Sequence, residues 1–160
     1  MFRTHDLSIA FGLALIALTA CGGRAAETHT EPTVMSASIV IETTNGYRVE
    51  GQSVWEGRYL CPQGVTGLTL ELTGAGGAEV AAVFHFYAVP ENPDVPTGSY
   101  TLRGVVRGDG TIDLSPERWL EQPYGYVMVG MTGFLESASG IMRGRIAAAE
   151  CDGFDLHRVR

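Results

Sequence analysis

Apolar residues in this chain recur at every second position, not every third or fourth. Leu68, Leu70 and Leu72 alternate with Thr69, Glu71 and Thr73, and a few residues on Val80, Ala82, Phe84 and Phe86 fall on a common face. Only an extended strand sends alternate side chains to one side, so the two runs read as half-buried strands joined by a turn at Gly74 to Ala78. Setting Leu72 opposite Val80, Leu70 opposite Ala82 and Leu68 opposite Phe84 gathers the apolar side chains on one surface. A slip of one residue would scatter them.

The same period runs from Ser36 to the end of the chain. Ile39 and Ile41 precede the turn pair Asn45-Gly46, and Trp55, Gly57, Tyr59 and Cys61 share one face of a strand whose other face carries Glu56 and Arg58. Tyr100, Leu102, Gly104 and Val106 are followed by Ile112 and Leu114. Keeping Val106 opposite Ile112 requires the three-residue loop Gly108-Asp109-Gly110, with Gly110 in the left-handed conformation that such hairpins need. Tyr126 to Phe134, apolar on both faces, is expected as a curved strand. Ile141 to Ile146 follows, with Arg143 and Arg145 outward, and a last strand lies near Phe154 and Leu156.

Two stretches depart from the alternation. Pro90, Pro93 and Pro96 stiffen a loop from Val89 to Gly98, read as a connector between strands. Ser115, Pro116 and Glu117 resemble a helix start and Pro123 a stop, so one short helical turn is expected near 116–121, carrying Trp119 and Leu120. The fold class is therefore all-β: about eight short antiparallel strands in a meander, closed or partly open as a barrel, with a β-sandwich as the alternative. Glycine is abundant, 21 of 160 residues, and it recurs inside strands at Gly57, Gly104, Gly130, Gly133 and Gly144, where strong bending needs it. That favours the barrel.

The N-terminal segment is of another kind. Leu7 to Leu18 is apolar apart from Ser8 and ends in small residues before Cys21. It suits the apolar core of a signal peptide and is too short for a spanning helix. Leu18-Thr19-Ala20-Cys21 resembles the lipobox of bacterial lipoproteins. That resemblance implies cleavage before Cys21, lipidation of its sulfur, and anchoring that two or three acyl chains make effectively permanent. Gly22 in place of Asp implies the outer membrane in a Gram-negative cell. The expected organisation is a signal peptide over 1–20, a tether over 21–36 with a root-mean-square span of roughly 20 Å, and a single β-rich domain over 37–160. The formal net charge is −7 and stays so once Arg3 and Asp6 leave with the leader. No basic footprint for nucleic acid is present.

Three cysteines leave one unpaired in an exported protein. Lipidation of Cys21 takes the odd one, and Cys61 and Cys151 are then expected as a disulfide between the two chain regions that barrel closure brings together, with free buried thiols as the alternative. Two cysteines without a nearby histidine lack metal-ligand spacing, so no metal and no cofactor are expected.

Catalytic signatures are sparse. The chain has no Gly-x-Ser-x-Gly elbow, no His-Glu-x-x-His, no phosphate loop and no dinucleotide fingerprint. His85 is the histidine within the domain proper and stands as a candidate base. Glu117 and Glu121, four apart on the expected helical turn, stand as a candidate carboxylate pair. Both also read as solvated surface. Trp119, Tyr124 and Tyr126 cluster around Pro123 and Gly125 and are the candidate ligand-binding residues, since aromatic side chains at a barrel mouth stack on sugars or hold an apolar ligand.

Across most of the domain the pattern resembles a bacterial extracytoplasmic β module. The residues that carry it are Trp55, Gly57, Tyr59, Cys61, Gln63 and Gly64; Asn92, Pro93, Val95, Pro96, Gly98, Tyr100, Leu102 and Gly104; Leu114, Pro116, Trp119, Pro123, Gly125 and Tyr126; and Cys151, Phe154 and Leu156. The resemblance implies a non-catalytic module and transfers no active site. The expected function is a lipid-anchored envelope protein that binds a small apolar ligand, a glycan or a protein partner. The alternatives are an envelope hydrolase using Glu117, Glu121 or His85, and a structural surface lipoprotein.

Overall fold

The computed structural model describes residues 39–43 and 46–160, with side chains from Tyr47 onward. The expected signal peptide, lipidated Cys21 and tether lie outside the described residues. Nine strands follow in chain order: β1 (Ile39–Thr43), β2 (Gly46–Cys61), β3 (Gly64–Ala75), β4 (Glu79–Tyr87), β5 (Gly98–Val106), β6 (Thr111–Glu121), β7 (Gly130–Glu136), β8 (Ile141–Ala147) and β9 (Gly153–Arg158). Each pairs antiparallel with the next, and β2 also pairs with β9 through Trp55↔Arg158 to Tyr59↔Phe154. Strands β2 to β9 thus form a closed eight-stranded up-and-down barrel, while β1 adds to the N-terminal part of β2 from Ile39↔Glu50 to Thr43↔Gly46.

The period-two pattern maps onto the inside of this barrel. Trp55, Leu68, Leu70, Leu72, Phe84, Phe86, Tyr100, Leu102, Ile112, Leu114, Met131, Leu135, Met142 and Leu156 are all at most 2% exposed. Full burial of one such side chain stabilises the fold by about 1.5–3 kcal/mol, so the interior is a packed core. Arg143 and Arg145 face out, and Arg143 pairs with Asp155 on β9 at 2.7 Å. Where the inner wall is most crowded, the inward residue is glycine. Gly133 and Gly144 are cross-strand partners, and a Cβ on either would run first into backbone of the facing strand, the Arg143 or the Thr132 carbonyl, with the Phe154 ring 2.8 Å away in both cases.

The β5–β6 hairpin has the expected register. Val106 pairs with Ile112, and Gly110 has φ 88°. The Asp109 carboxylate accepts a 2.9 Å bond from the Thr111 N–H, which holds its pKa below the ordinary value.

Three expectations are corrected. Leu72 lies opposite Ala82, not Val80, and the pairing continues to Gly74↔Val80. The shift is two residues, so every side chain keeps its face. Pairing carried this far leaves a shorter turn, Gly76 to Ala78, and the Gly76 N–H reaches across to the Val49 carbonyl at 2.9 Å, tying the hairpin tip to β2.

The helical turn near 116–121 is absent, and there is no helix among the described residues. The segment is instead the second half of β6, broken by two bulges. Thr101↔Arg118 follows Leu102↔Pro116, leaving Glu117 extra, and Ser99↔Glu121 follows Tyr100↔Trp119, leaving Leu120 extra. Pro116 is tolerated because β6 pairs with β7 only from Thr111 to Leu114, so the β7 side of the strand makes no ladder bonds at the proline.

The strand expected over Tyr126 to Phe134 starts only at Gly130. Gly125, with φ 79°, turns the chain, and residues 126–129 stay off the sheet.

Candidate functional site

An up-and-down barrel collects alternate loops at each end. One end carries the β2–β3 turn, the proline loop between β4 and β5, the 122–129 loop between β6 and β7, and the 148–152 loop between β8 and β9. Because β7 starts late, this mouth is not sealed by strand pairing. A cavity of about 590 Å³ opens there, walled by Tyr59, Phe86, Tyr100, Tyr126, Val127 and Val129, with Cys61 and Cys151 also at its lining. That volume suits a small organic molecule.

The mouth is built from fixed parts. Cys61 and Cys151 are joined by the expected disulfide, which ties the β2–β3 turn to the β8–β9 loop across a separation of 90 residues. The Asp152 N–H adds a backbone bond to the Leu60 carbonyl at 2.8 Å. Asn92, in the proline loop, donates to the Gln63 carbonyl at 2.6 Å and to the Val65 carbonyl at 3.2 Å. Gly64, with φ 96°, makes room for it, since a Cβ there would lie 2.8 Å from the Asn92 amide nitrogen. The proline loop is therefore a strut for the mouth, with Val89 and Val95 buried beneath it.

An aromatic cluster runs from the core to the cavity. Tyr100 stacks on Phe84 at 4.8 Å between centroids, Tyr59 meets Phe84 edge-on at 5.5 Å, and Tyr126 lies flat on Phe86 at 5.4 Å and 12°. Offset stacking and edge contacts of this kind hold ring positions beyond what area burial alone achieves.

Two phenol groups sit in this cluster with different bonding. The Tyr100 hydroxyl donates to the Val129 carbonyl at 2.9 Å and accepts from the Val129 N–H at 3.3 Å. The Tyr59 hydroxyl accepts from Gln63 Nε2 at 3.2 Å, and the same nitrogen reaches Thr66 Oγ1 at 3.3 Å. Burial pushes Tyr59 up to about 12, with Tyr126 adding to the rise and Thr66 and Gln63 opposing it. Burial raises Tyr100 as well. Both stay neutral across the physiological range.

The aromatic residues expected to bind a ligand are divided by the structure. Tyr126 lines the cavity. Trp119 stands behind the wall, half-buried, edge-on to Tyr100 at 5.1 Å and to Phe86 at 6.4 Å, and supports the rings that face the cavity. Tyr124 is fully exposed and is not among the lining residues. Tyr59, Phe86 and Tyr100 were legible only as core. The one available signal was that two inward positions near strand ends carry tyrosine where phenylalanine would pack as well.

The candidate catalytic residues lie elsewhere. Glu117 is on the outer surface, bonded to Arg103 at 3.3 Å and to the Thr101 hydroxyl at 3.2 Å. Without the helical turn, the i, i+4 spacing that suggested a pair with Glu121 no longer applies. His85 is on the outer face of β4 beside Tyr87, with ring centroids 5.4 Å apart. It lies opposite Thr69 and Ser99 in the sheet. Among the described residues no cluster of His, Cys, Asp and Glu is arranged to hold a metal ion.

No family model, curated protein or solved structure matches the chain.

Proposed function

We propose that this chain is a lipid-anchored envelope protein, attached through Cys21, whose barrel binds a small apolar ligand in the mouth between the 122–129 and 148–152 loops. The observation that carries this reading is the roughly 590 Å³ cavity walled by Tyr59, Phe86, Tyr100, Tyr126, Val127 and Val129. Its walls bury aromatic and aliphatic surface, and few polar side chains line it, chiefly Gln63 and Glu150 besides the phenols. A sugar would bring many hydroxyl groups that these few could not satisfy, and each one left buried without a partner costs about 1–3 kcal/mol. An apolar ligand brings no such cost and gains about 25 cal/mol for each Å² it removes from water. The lipobox supports the envelope address, and the Cys61–Cys151 disulfide suits an oxidising compartment.

Native mass spectrometry of the full chain, released from its own membranes in mild detergent, tests the binding role. A retained non-protein mass that dissociates on activation is the expected result, and N-phenyl-1-naphthylamine should fluoresce on binding the emptied protein. If no mass is retained and the dye stays dark, the reading fails. Alkynyl-palmitate labelling that disappears in Cys21→Ser tests the anchor.

A further inference from the structure

We infer that the mouth of the barrel docks on the bilayer that holds the Cys21 anchor, with Tyr124 and Val127 entering its headgroup layer, so that an apolar ligand passes between membrane and cavity without crossing water. This rests on the anchored, ligand-binding reading above and adds a second contact with the membrane.

Apolar surface is unevenly placed on the barrel. Six large apolar side chains are exposed among the described residues: Leu60, Leu120, Tyr124, Val127, Phe134 and Val159. The first four stand at the mouth, on the last turns of β2 and β6 and in the 122–129 loop. Tyr124, fully exposed, and Val127, 75% exposed, are the most open of the six. Single apolar residues are ordinary on a protein surface, but these two share a loop that carries no charged residue. The loop is also built to present them. The Tyr126 N–H closes a turn on the Pro123 carbonyl at 3.2 Å, Gly125 supplies the positive φ that the turn requires, and Gln122 Nε2 donates to the Tyr126 carbonyl at 3.2 Å. Tyr124 is thereby held at the outer corner.

The path of the chain indicates what covers these side chains. Strand β2 runs toward the mouth and ends there at Cys61, while β1 runs the other way beside it, with Ile39 opposite Glu50 and Thr43 opposite Gly46. The mouthward end of β1 is therefore where the preceding chain joins the barrel. From Cys21 to Ile39 the chain has a reach of up to about 60 Å, and Glu50 to Cys61 is about 36 Å of strand. The anchor reaches past the mouth. Attachment at Cys21 makes the second contact intramolecular, so the weak affinity of two inserted side chains is enough to hold it. Tyrosine suits the headgroup layer, with its ring against acyl carbons and its hydroxyl in water. The mouth loops also carry Glu91, Asp94, Glu150 and Asp152 and no Lys, Arg or His, which selects a zwitterionic surface over an anionic one.

The test uses the full chain with its own acyl anchor, purified in mild detergent and reconstituted into phosphatidylcholine vesicles. Tyr124→Trp places a fluorophore at the loop tip, and Phe134→Trp places one on β7 toward the other end of the barrel. Emission is read as the difference from the wild type, which contains Trp55 and Trp119. The emission added by Tyr124→Trp should be blue-shifted and should be largely lost when the lipid is brominated near the headgroup end of its acyl chains; that added by Phe134→Trp should be unaffected. Unquenched emission from Tyr124→Trp, or equal quenching at the two positions, would overturn the docking. Mixing in phosphatidylglycerol at low salt should weaken the quenching, and equal or stronger quenching would overturn the choice of a zwitterionic surface. Melting curves check that the variants fold, and Val127→Trp repeats the reading from the same loop. Native mass spectrometry reads the ligand separately. A retained mass with an unquenched tip removes the docking and leaves the binding standing, and a quenched tip without a retained mass does the reverse.

Discussion

The hydroxyl of Tyr100 satisfies both backbone groups of Val129, donating to its carbonyl at 2.9 Å and accepting from its N–H at 3.3 Å. A strand neighbour would normally do this. Here the 122–129 loop has left the sheet, and one side chain from β5 takes the place of the missing ladder at the cavity wall. Tyr100→Phe removes both bonds while keeping the ring on Phe84. The expected cost is about 1–2 kcal/mol of unfolding free energy. Faster amide exchange should appear at Val129 and its neighbours, with the core strands unchanged. Exchange measured by mass spectrometry or NMR checks this, and an unchanged rate at Val129 would remove Tyr100 from its role as the loop's tie.

The Cys61–Cys151 bridge closes a long stretch of chain at the same mouth, with a sequence separation of 90. In the chain-entropy account a loop of that length is stabilised by up to about 4–5 kcal/mol. Reduction, or the double variant Cys61→Ser/Cys151→Ser, should lower the melting temperature sharply. It should also weaken binding of neutral dyes, because both cysteines line the cavity. Thermal melts with and without dithiothreitol measure the first effect, and dye titration at a temperature where the reduced protein is still folded measures the second.

The sequence contains no lysine, so the alkaline range belongs largely to its six tyrosines. Tyr59 is pushed from 10 up to about 12 by burial, and Tyr100 is raised from the same cause. The folded state therefore holds protons that the unfolded chain releases above pH 10. Stability is fully present below pH 10 and is lost as pH rises toward 12. For Tyr59 the loss is about 2–3 kcal/mol over that window. Unfolding followed from pH 8 to 12 should show the decline, and Tyr59→Phe should make it shallower while leaving the part that Tyr100 contributes. A slope unchanged in that variant would show that Tyr59 does not hold its proton.

Most of the fold was legible because a closed barrel shows one face to a core and one to water, and that contrast repeats every two residues in the chain. Leu68, Leu70 and Leu72 and the Gly108-Asp109-Gly110 hairpin followed from local chemistry, and the cysteine pair from the cysteine count and the closure of the barrel. The 116–121 segment did not, because Ser115, Pro116 and Glu117 have the chemistry of a helix start. Whether a proline begins a helix or sits in a strand depends on what lies beside it, and only the tertiary structure shows that β7 stops short of it. The candidate site was half legible for a related reason. Tyr126 stood out beside Gly125, whereas Tyr59 and Tyr100 carry the same alternation as the core and differ from it only in where the barrel opens.

The facing glycines on β7 and β8 set a steric limit on the barrel. A methyl at Gly133 or Gly144 would press first on the backbone of the paired strand and then meet the Phe154 ring at 2.8 Å. Gly144→Ala should therefore cost about 1–3 kcal/mol, the range for overpacked cores. Pairing it with Phe154→Leu should recover only the share of that loss that the ring imposes, since the backbone of β7 lies nearer than the ring. Denaturant unfolding of the single and double variants measures the recovery. If the double variant loses the sum of the two single effects, the backbone contact and not the ring sets the limit.

Trp119 and Tyr124 separate support of the cavity wall from mere presence near it. Trp119 is half-buried and braces Phe86 and Tyr100 edge-on, at 6.4 Å and 5.1 Å between centroids. Tyr124, five residues on, is fully exposed. Trp119→Ala should cost about 2–3 kcal/mol, less than the 3–5 typical of a wholly buried tryptophan. It should also weaken dye binding, since Phe86 and Tyr100 lose the edge that holds them. Tyr124→Ala should change stability by less than about 0.5 kcal/mol and leave dye affinity unchanged. Parallel denaturant melts and dye titrations on the two variants decide the matter. A binding loss in Tyr124→Ala without a stability loss would place the ligand over the 122–129 loop and not beneath it, moving the site from the cavity to the lip.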